Sequence, residues 1–130
     1  MRRMELEQFE ELVRRGLEMI PDEIAKQMSN VDIEVQDTPS QQQLASAGVP
    51  RGHTLLGLYV GIPLTRRTSG YNMAMPDRII IFQRPLEARS GDDNELVERV
   101  RETVIHEVAH HFGISDERLD EFEAERHKEG

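Results

Sequence analysis

The 130-residue chain contains no cysteine and no tryptophan, and only 5% of its residues are aromatic. Without cysteine it can form neither disulfides nor thiolate metal sites, and a cysteine nucleophile is excluded. Any metal ion would have to be held by nitrogen and oxygen ligands. The longest apolar runs are about four residues, such as IIIF at 79–82, whereas a membrane-spanning helix needs roughly 20. We therefore expect no membrane segment.

Signals for export and for nucleic-acid binding are also scarce. The start, MRRMELEQFEELV, has glutamates where a signal peptide would need an unbroken apolar stretch, so the expected location is the cytoplasm. The net charge of −9 argues against a dedicated nucleic-acid binder, because phosphate contacts need clustered cations. Residues 51–89 differ, since six arginines against two acids give a local charge of +4. We interpret this stretch as a solvated surface, with an anionic partner as the alternative.

Length and hydrophobic patterning indicate one α+β domain over residues 1–130. Apolar spacing predicts a helix over about 4–19, and Pro21 marks the start of a second one. Alternation in VDIEVQ (31–36) predicts a half-exposed strand, and residues 37–52 read as a loop with room for one helical turn. TLLGLYVGI (54–62) predicts an edge strand over a cleft, whose glycines permit close approach of another segment. RIIIFQ (78–83) predicts a short buried strand.

The next predicted helix begins at Asp92 or Asp93 and ends near Phe112. At about 100° per residue, its apolar side chains share one arc that should face the core: Val97, Val100, Val104, Ile105, Val108, Ala109 and Phe112. His106 and His110 lie outside this arc, one turn apart on the same side, and Glu107 flanks them. His111 falls among the valines and is interpreted as a core-side histidine with a backbone or carboxylate partner.

The segment HEVAHHFGISD (106–116) predicts a metal site with its own base. Histidines at i and i+4 can direct ring nitrogens at one zinc ion, and the intervening glutamate can reach a water bound to it, as in H-E-x-x-H. Gly113 should end the helix and let the chain turn back, which makes Asp116 a candidate third ligand. The alternative for Asp116 is to serve as the N-cap or as a first-turn acid of a last helix over about 115–126. Weaker candidates for the third ligand are Glu117, Glu121 and Glu123.

With these motifs the chain resembles the zincin metallopeptidases, and specifically a family of short bacterial zincin-like proteins regarded as possible zinc metallopeptidases. GLYVGIPLTRR (57–67), YNMAMPDRIIIFQRPLE (71–87) and HEVAHHFGISDERLDE (106–121) are similar to that family's pattern, so the resemblance covers most of residues 20–125. It implies a minimal zincin-like fold, in which a small twisted sheet packs on an active-site helix with an N-terminal helix behind. It also implies that His106, His110 and Asp116 ligate zinc and that Glu107 is the base. Metzincins have a third histidine where this chain has Asp116, and no methionine follows Met75 to form their methionine turn.

Under this resemblance the expected activity is hydrolysis of peptide bonds by a zinc-bound water, with Glu107 taking its proton and passing it to the leaving amine. The sequence offers Tyr71 and His53 as candidates to stabilise the oxyanion. A peptide or protein substrate could add as a strand beside Leu55 to Gly61. Iron, nickel or cobalt could occupy the same ligands as zinc.

Two other functions are compatible with the sequence. One is a metal-stabilised binding module with little or no turnover. The other is a zinc-dependent nuclease that acts at Arg66, Arg67 and Arg78, which the acidic composition disfavours. The presence of Glu107 distinguishes a peptidase from these two functions, because a glutamate at this position is superfluous for a structural metal and essential for amide hydrolysis.

Overall fold

A computed structural model of the chain describes residues 4–61 and 76–129, with side chains described as far as residue 124. The helices in these ranges are α1 (Leu6–Glu18), α2 (Asp22–Gln27), α3 (Gln41–Ser46), α4 (Gln83–Ala88), α5 (Asp93–Phe112) and α6 (Asp116–Glu129). The strands are β1 (Val31–Gln36), β2 (Gly57–Val60) and β3 (Asp77–Phe82). The predicted α+β class is confirmed.

The three strands form one sheet in the order β1-β3-β2. β1 runs parallel to β3, with Ile33 opposite Ile79, and β2 runs antiparallel to β3, with Tyr59 opposite Ile79. β3 is the central strand and is buried on both faces, as its run of isoleucines predicts. β2 is an edge strand, as predicted, but it is shorter than the nine-residue segment TLLGLYVGI from which it was inferred.

The core lies between the sheet and the two long helices α1 and α5. The apolar stripe of α1 contributes Phe9, Leu12 and Val13, and Ile24 of α2 is also fully enclosed. α5 contributes a longer set: Leu96, Val97, Val100, Val104, Ile105 and Val108. Gly16 allows α1 to touch α5, because a Cβ there would lie 2.9 Å from the backbone oxygen of Val97.

The ends of α5 match the sequence pattern closely. Asp92 is the N-cap, and its side chain accepts a hydrogen bond from the backbone N–H of Glu95 at 2.8 Å. Gly113 ends the helix with φ of 72°, in the left-handed region. The backbone N–H of Ile114 then donates to the carbonyl of Ala109 at 2.9 Å. The last turn of α5, which carries His110, therefore has a defined end.

α6 is held mainly by polar contacts. Arg101 of α5 is only 1% exposed and donates to the carbonyl of Met19 at 3.1 Å and to the Glu123 carboxylate at 2.6 Å. Arg118 pairs with Glu23 of α2 at 2.6 Å and lies over the Phe122 ring. Phe122 is the buried apolar anchor of this helix. The position of α6 thus depends on a few charged side chains rather than on a broad apolar face.

Three features differ from the sequence-based expectations. Phe112 was assigned to the core face of α5, but as the last residue of that helix it is 41% exposed. Arg101 was not assigned to the core and is buried. α4 was not predicted from the sequence; its Pro85 lies in the first turn, where a helix tolerates proline. Among the described residues, no helix is long and apolar enough to cross a membrane.

Candidate metal and catalytic site

The motif predicted to hold a metal lies on the last two turns of α5. His106 and His110 are exposed, whereas Glu107 is half-buried and turns toward β2. The two imidazoles and the carboxylate offer nitrogen and oxygen donors of the kind that zinc prefers. The donor chemistry of these residues therefore fits a zinc ion.

Gly57 allows α5 to approach the edge strand. A Cβ at this position would lie 2.6 Å from Cγ2 of Thr103, 3.3 Å from the carbonyl oxygen of Ile80 and 3.8 Å from Cγ of Glu107. Any side chain larger than hydrogen would push the helix away from the strand. The close approach that the sequence predicted for a glycine of this strand is thus found at Gly57, and it brings Glu107 to the sheet.

Glu107 is held by the backbone of β2. The N–H of Tyr59 donates to Oε1 of Glu107 at 3.0 Å. The N–H of Phe82 donates to the carbonyl of Leu56, and hydrogen-bonded pairs alternate along an antiparallel ladder, so the N–H and C=O of Tyr59 point away from β3. The carboxylate therefore lies on the side of β2 that faces away from β3. Burial raises the pKa of Glu107, and the Tyr59 hydrogen bond and the nearby histidines oppose this rise.

An aromatic cluster extends the site beyond Glu107. The rings of Tyr59 and His111 are stacked, with centroids 3.9 Å apart and planes 13° apart, and Phe112 meets both rings edge-on. The Tyr59 hydroxyl donates to Oδ2 of Asp77 at 2.6 Å. Nε2 of His111 is 3.9 Å from the same oxygen, beyond hydrogen-bond distance. His111 has a carboxylate neighbour as expected, but its side chain is 41% exposed, so its assignment to the core is wrong.

A cleft of about 540 Å³ opens over these residues. One side is aliphatic, and the other is formed by the aromatic cluster and the end of α5. The lining residues are Ala47, Leu55, Leu58, Tyr59, Glu107, His110 and His111. The predicted base and one predicted metal ligand thus share an open cleft beside β2.

His106 faces a second, smaller cavity of about 240 Å³ between α5 and α6. Asp120 and Glu123 line this cavity, whereas Asp116 does not. Asp116 is the exposed first residue of α6, and Ser115 rather than Asp116 caps that helix, because its hydroxyl accepts from the N–H of Arg118 at 3.2 Å. Within the described ranges, no three histidine, aspartate or glutamate side chains converge closely enough to enclose a metal ion. The third ligand therefore remains a prediction.

The other candidate residues are dispersed. Of the alternative third ligands, Glu121 pairs with Arg118, Glu123 pairs with Arg101, and Glu117 is exposed in the first turn of α6. His53 lies in the exposed loop after α3 and lines a separate cavity with residues of that helix. Tyr71, Arg66 and Arg67 lie outside the described residues. Arg78, the remaining residue of the nuclease hypothesis, pairs with Glu34 at 3.1 Å.

Sequence analysis missed the residues that position Glu107. Tyr59 was interpreted as part of an edge strand, and Asp77 was counted only as a charge. Their roles depend on contacts between segments 18 and 48 residues apart in sequence, which periodicity within one segment cannot reveal. The one local signal that two of the site residues lie side by side was the spacing of Glu107 and His111, since residues at i and i+4 lie on the same side of a helix.

Comparison with known proteins points to the same chemistry. A family model described as a zincin-like metallopeptidase matches residues 28–126. A search of curated proteins found no match. The structure is similar to that of a conserved hypothetical protein from Thermus thermophilus, with a TM-score of 0.54 and 23% identity, over 84% of this chain and 94% of the other. At this level of identity the likeness concerns the fold.

Proposed function

Because the chain belongs to the family of zincin-like metallopeptidases, we propose that it hydrolyses peptide bonds with a bound zinc ion and with Glu107 as the general base. The observation that carries this proposal is the environment of Glu107. The carboxylate is half-buried beside β2, 3.0 Å from the N–H of Tyr59, and it lies between two histidines on the same helix. A surface glutamate on an ordinary helix would have neither the burial nor the fixed donor.

His106 and His110 would hold the metal, with Asp116 as the proposed third ligand. When bound, zinc would supply a polarised water and a positive charge near the substrate carbonyl. Glu107 accepts a proton from the attacking water and returns it to the leaving nitrogen. The raised pKa of Glu107 suits both transfers, because it brings the carboxyl closer to the pH at which it must gain and lose a proton.

Among the residues that the structure describes, no strand pairs with β2 on the side that faces away from β3. An extended peptide can add there as a further strand beside Glu107. We propose peptides or unfolded protein segments as substrates on this basis.

The decisive experiment separates metal binding from hydrolysis. Purified protein is incubated with a peptide library, and cleavage is followed by mass spectrometry alongside zinc content. Glu107→Gln should keep the metal and lose cleavage by at least about a hundredfold, because the amide cannot accept the proton. Glu10→Gln, an exposed carboxylate of α1, serves as the matched control and should cleave normally.

A metal-stabilised binding module with little or no turnover is the second candidate, because the open cleft beside β2 suits peptide binding whether or not cleavage follows. The same experiment decides between the two functions. If Glu107→Gln cleaves peptides as well as the parent protein, the proposed mechanism is wrong. If the zinc-loaded parent binds peptides and cleaves none, the protein is a binding module.

A further inference from the structure

We propose that Ala47, together with Leu55 and Leu58, selects the substrate and favours a peptide with an apolar side chain next to the bond that is cleaved. These three residues line the same cleft as Glu107, and they are called the aliphatic wall below. The inference rests on the proposed function, since it names the substrate class of that site.

The residues that line the cleft fall into two chemical groups. Glu107 and His110 are the proposed base and metal ligand. The aliphatic wall has no side-chain group that donates or accepts a hydrogen bond. Because both groups line one cavity of about 540 Å³, a peptide bond held at Glu107 places its neighbouring side chains within reach of the wall. Burial against this surface favours an apolar side chain and penalises a charged one.

The segment between β1 and β2, residues 37–56, carries Ala47 and Leu55 and is fixed at both ends. The N–H of Phe82 donates to the carbonyl of Leu56, and the N–H of Arg84 donates to the carbonyl of Asp37, each at 3.0 Å. The Arg84 guanidinium also pairs with the Asp37 carboxylate at 2.7 Å. The two ends of the segment are therefore held together beside the end of β3.

Within this segment α3 has a defined geometry. Ser40 and Gln43 form a capping box at its start, with hydrogen bonds of 2.8 and 3.0 Å. The N–H of Ala47 donates to the carbonyl of Gln43 at 3.0 Å, and Gly48 follows in the left-handed region with φ of 70°. Ala47 therefore has a fixed place at the end of the helix.

α3 adds nothing to the core, because none of its residues is buried. Core packing thus does not account for a capped helix at this place, whereas its C-cap, Ala47, lines the cleft. A wall that is ordered before the peptide arrives loses little conformational entropy on binding. The structure of this segment therefore suits the selection of a side chain.

The test measures peptide binding without turnover. Zinc-loaded Glu107→Gln protein is titrated with end-blocked fluorescent peptides of alanine and serine that differ at one central residue, which is leucine, asparagine or glutamate. We expect the leucine peptide to bind roughly five- to tenfold more tightly than the asparagine peptide. Asparagine is similar in size, but on an aliphatic wall its amide loses hydrogen bonds to water.

Ala47→Lys, made in the same background, moves a charge onto the wall. Ala47 is exposed, so the variant should fold as its parent does. We expect it to bind the leucine peptide about threefold less tightly than the parent, and the glutamate peptide about threefold more tightly than the control does. The matched control is Ala45→Lys, because Ala45 is an exposed residue of the same helix that lines a separate cavity.

The control adds the same charge and should leave the preference for leucine over asparagine unchanged. The inference is overturned if the Glu107→Gln parent binds these two peptides equally or binds neither. It is also overturned if the two lysine variants change the preference by the same amount.

Cleavage of the same peptides by protein that retains Glu107 keeps this inference distinct from the proposed function. Selective binding of the leucine peptide, in a protein that cleaves none of the peptides, would refute the peptidase and leave the role of the aliphatic wall standing. Cleavage of the leucine and asparagine peptides with equal kcat/KM would do the reverse.

Discussion

At the scale of single residues, the sequence predicts which side chains carry the chemistry better than what holds them in place. The spacing of His106, Glu107 and His110 follows from helix geometry alone, and the structure places all three on the last turns of α5. The contact between Glu107 and Tyr59 joins residues 48 positions apart, and it depends on the absence of a side chain at Gly57. Such contacts arise from tertiary packing, which one-dimensional patterns do not encode.

Gly57→Ala should destabilise the protein through one identifiable clash. The new methyl would lie 2.6 Å from Cγ2 of Thr103, so the helix or the strand must shift, at an expected cost of about 2 kcal/mol. Thr103→Ser removes that methyl and should recover part of the loss in the double variant. Urea unfolding of the four proteins gives the coupling energy. Strictly additive effects would contradict the proposed contact.

Glu107→Gln should stabilise the metal-free protein at neutral pH. The pKa of Glu107 is raised in the folded state, so folding with an ionised carboxyl costs free energy at pH values above the folded pKa. Below the unfolded pKa both states carry the proton and this cost is absent. The oxygen of the glutamine amide can still accept the hydrogen bond from the Tyr59 N–H, so the variant keeps this contact. Because the cost of the ionised carboxyl disappears at low pH, the stability gained by the variant should shrink as pH falls. Urea unfolding with a chelator at pH 7.5 and at pH 4 measures the difference; an equal gain at both values would contradict it.

At the scale of elements, periodic segments are predictable and contact-dependent ones are not. α1, α5 and β1 carry clear apolar periods, and the structure confirms each of them. α4 lacks such a pattern and contains Pro85, yet it forms because Leu86 and neighbouring residues are buried against the core. α6 was predicted from its cap and its charge, but the way it docks rests on Arg101, a residue that no apolar pattern would place in a core.

Arg101→Ala should loosen α6 from the body of the protein. The variant loses the hydrogen bond to the Met19 carbonyl and the ion pair with Glu123, and the exposed Glu123 can return to water. We expect a loss of about 3 kcal/mol, given two buried bonds from a charged donor and the lost packing of its stem. Hydrogen exchange should accelerate most in α6. Arg99→Ala, which removes only a long ion pair with Glu95 at 3.8 Å, is the control and should change exchange in α6 little.

At the scale of the whole molecule, the two predicted histidine ligands of α5 line different cavities, the open cleft and the smaller cavity beside α6. His110 faces the cleft where the peptide is proposed to bind, and His106 faces the cavity where the carboxylates of α6 lie. A metal bound by both histidines would thus contact the substrate on one side and be completed by a ligand from α6 on the other. Zinc binding and the docking of α6 should be coupled.

Zinc should therefore raise the melting temperature of the whole protein. At a free zinc concentration about 100 times the Kd, ligand binding adds about 2.7 kcal/mol to the stability, which corresponds to roughly 10 °C for a chain of this size. His106→Ala and His110→Ala should each abolish the shift, and Asp116→Ala should reduce it. Calorimetry with zinc and with a chelator measures this. A shift that persists in both histidine variants would place the metal elsewhere.

The bond between Tyr59 and Glu107 has a consequence for self-association through β2. An exposed strand with unsatisfied amides is a template on which a second copy can pair, and natural sheets protect such edges with charged groups. Glu107 covers the outward amide of Tyr59 and places a charge beside it. An inactive form made by truncating this residue to alanine would uncover the edge and favour self-association, whereas glutamine would silence the chemistry and keep the edge covered.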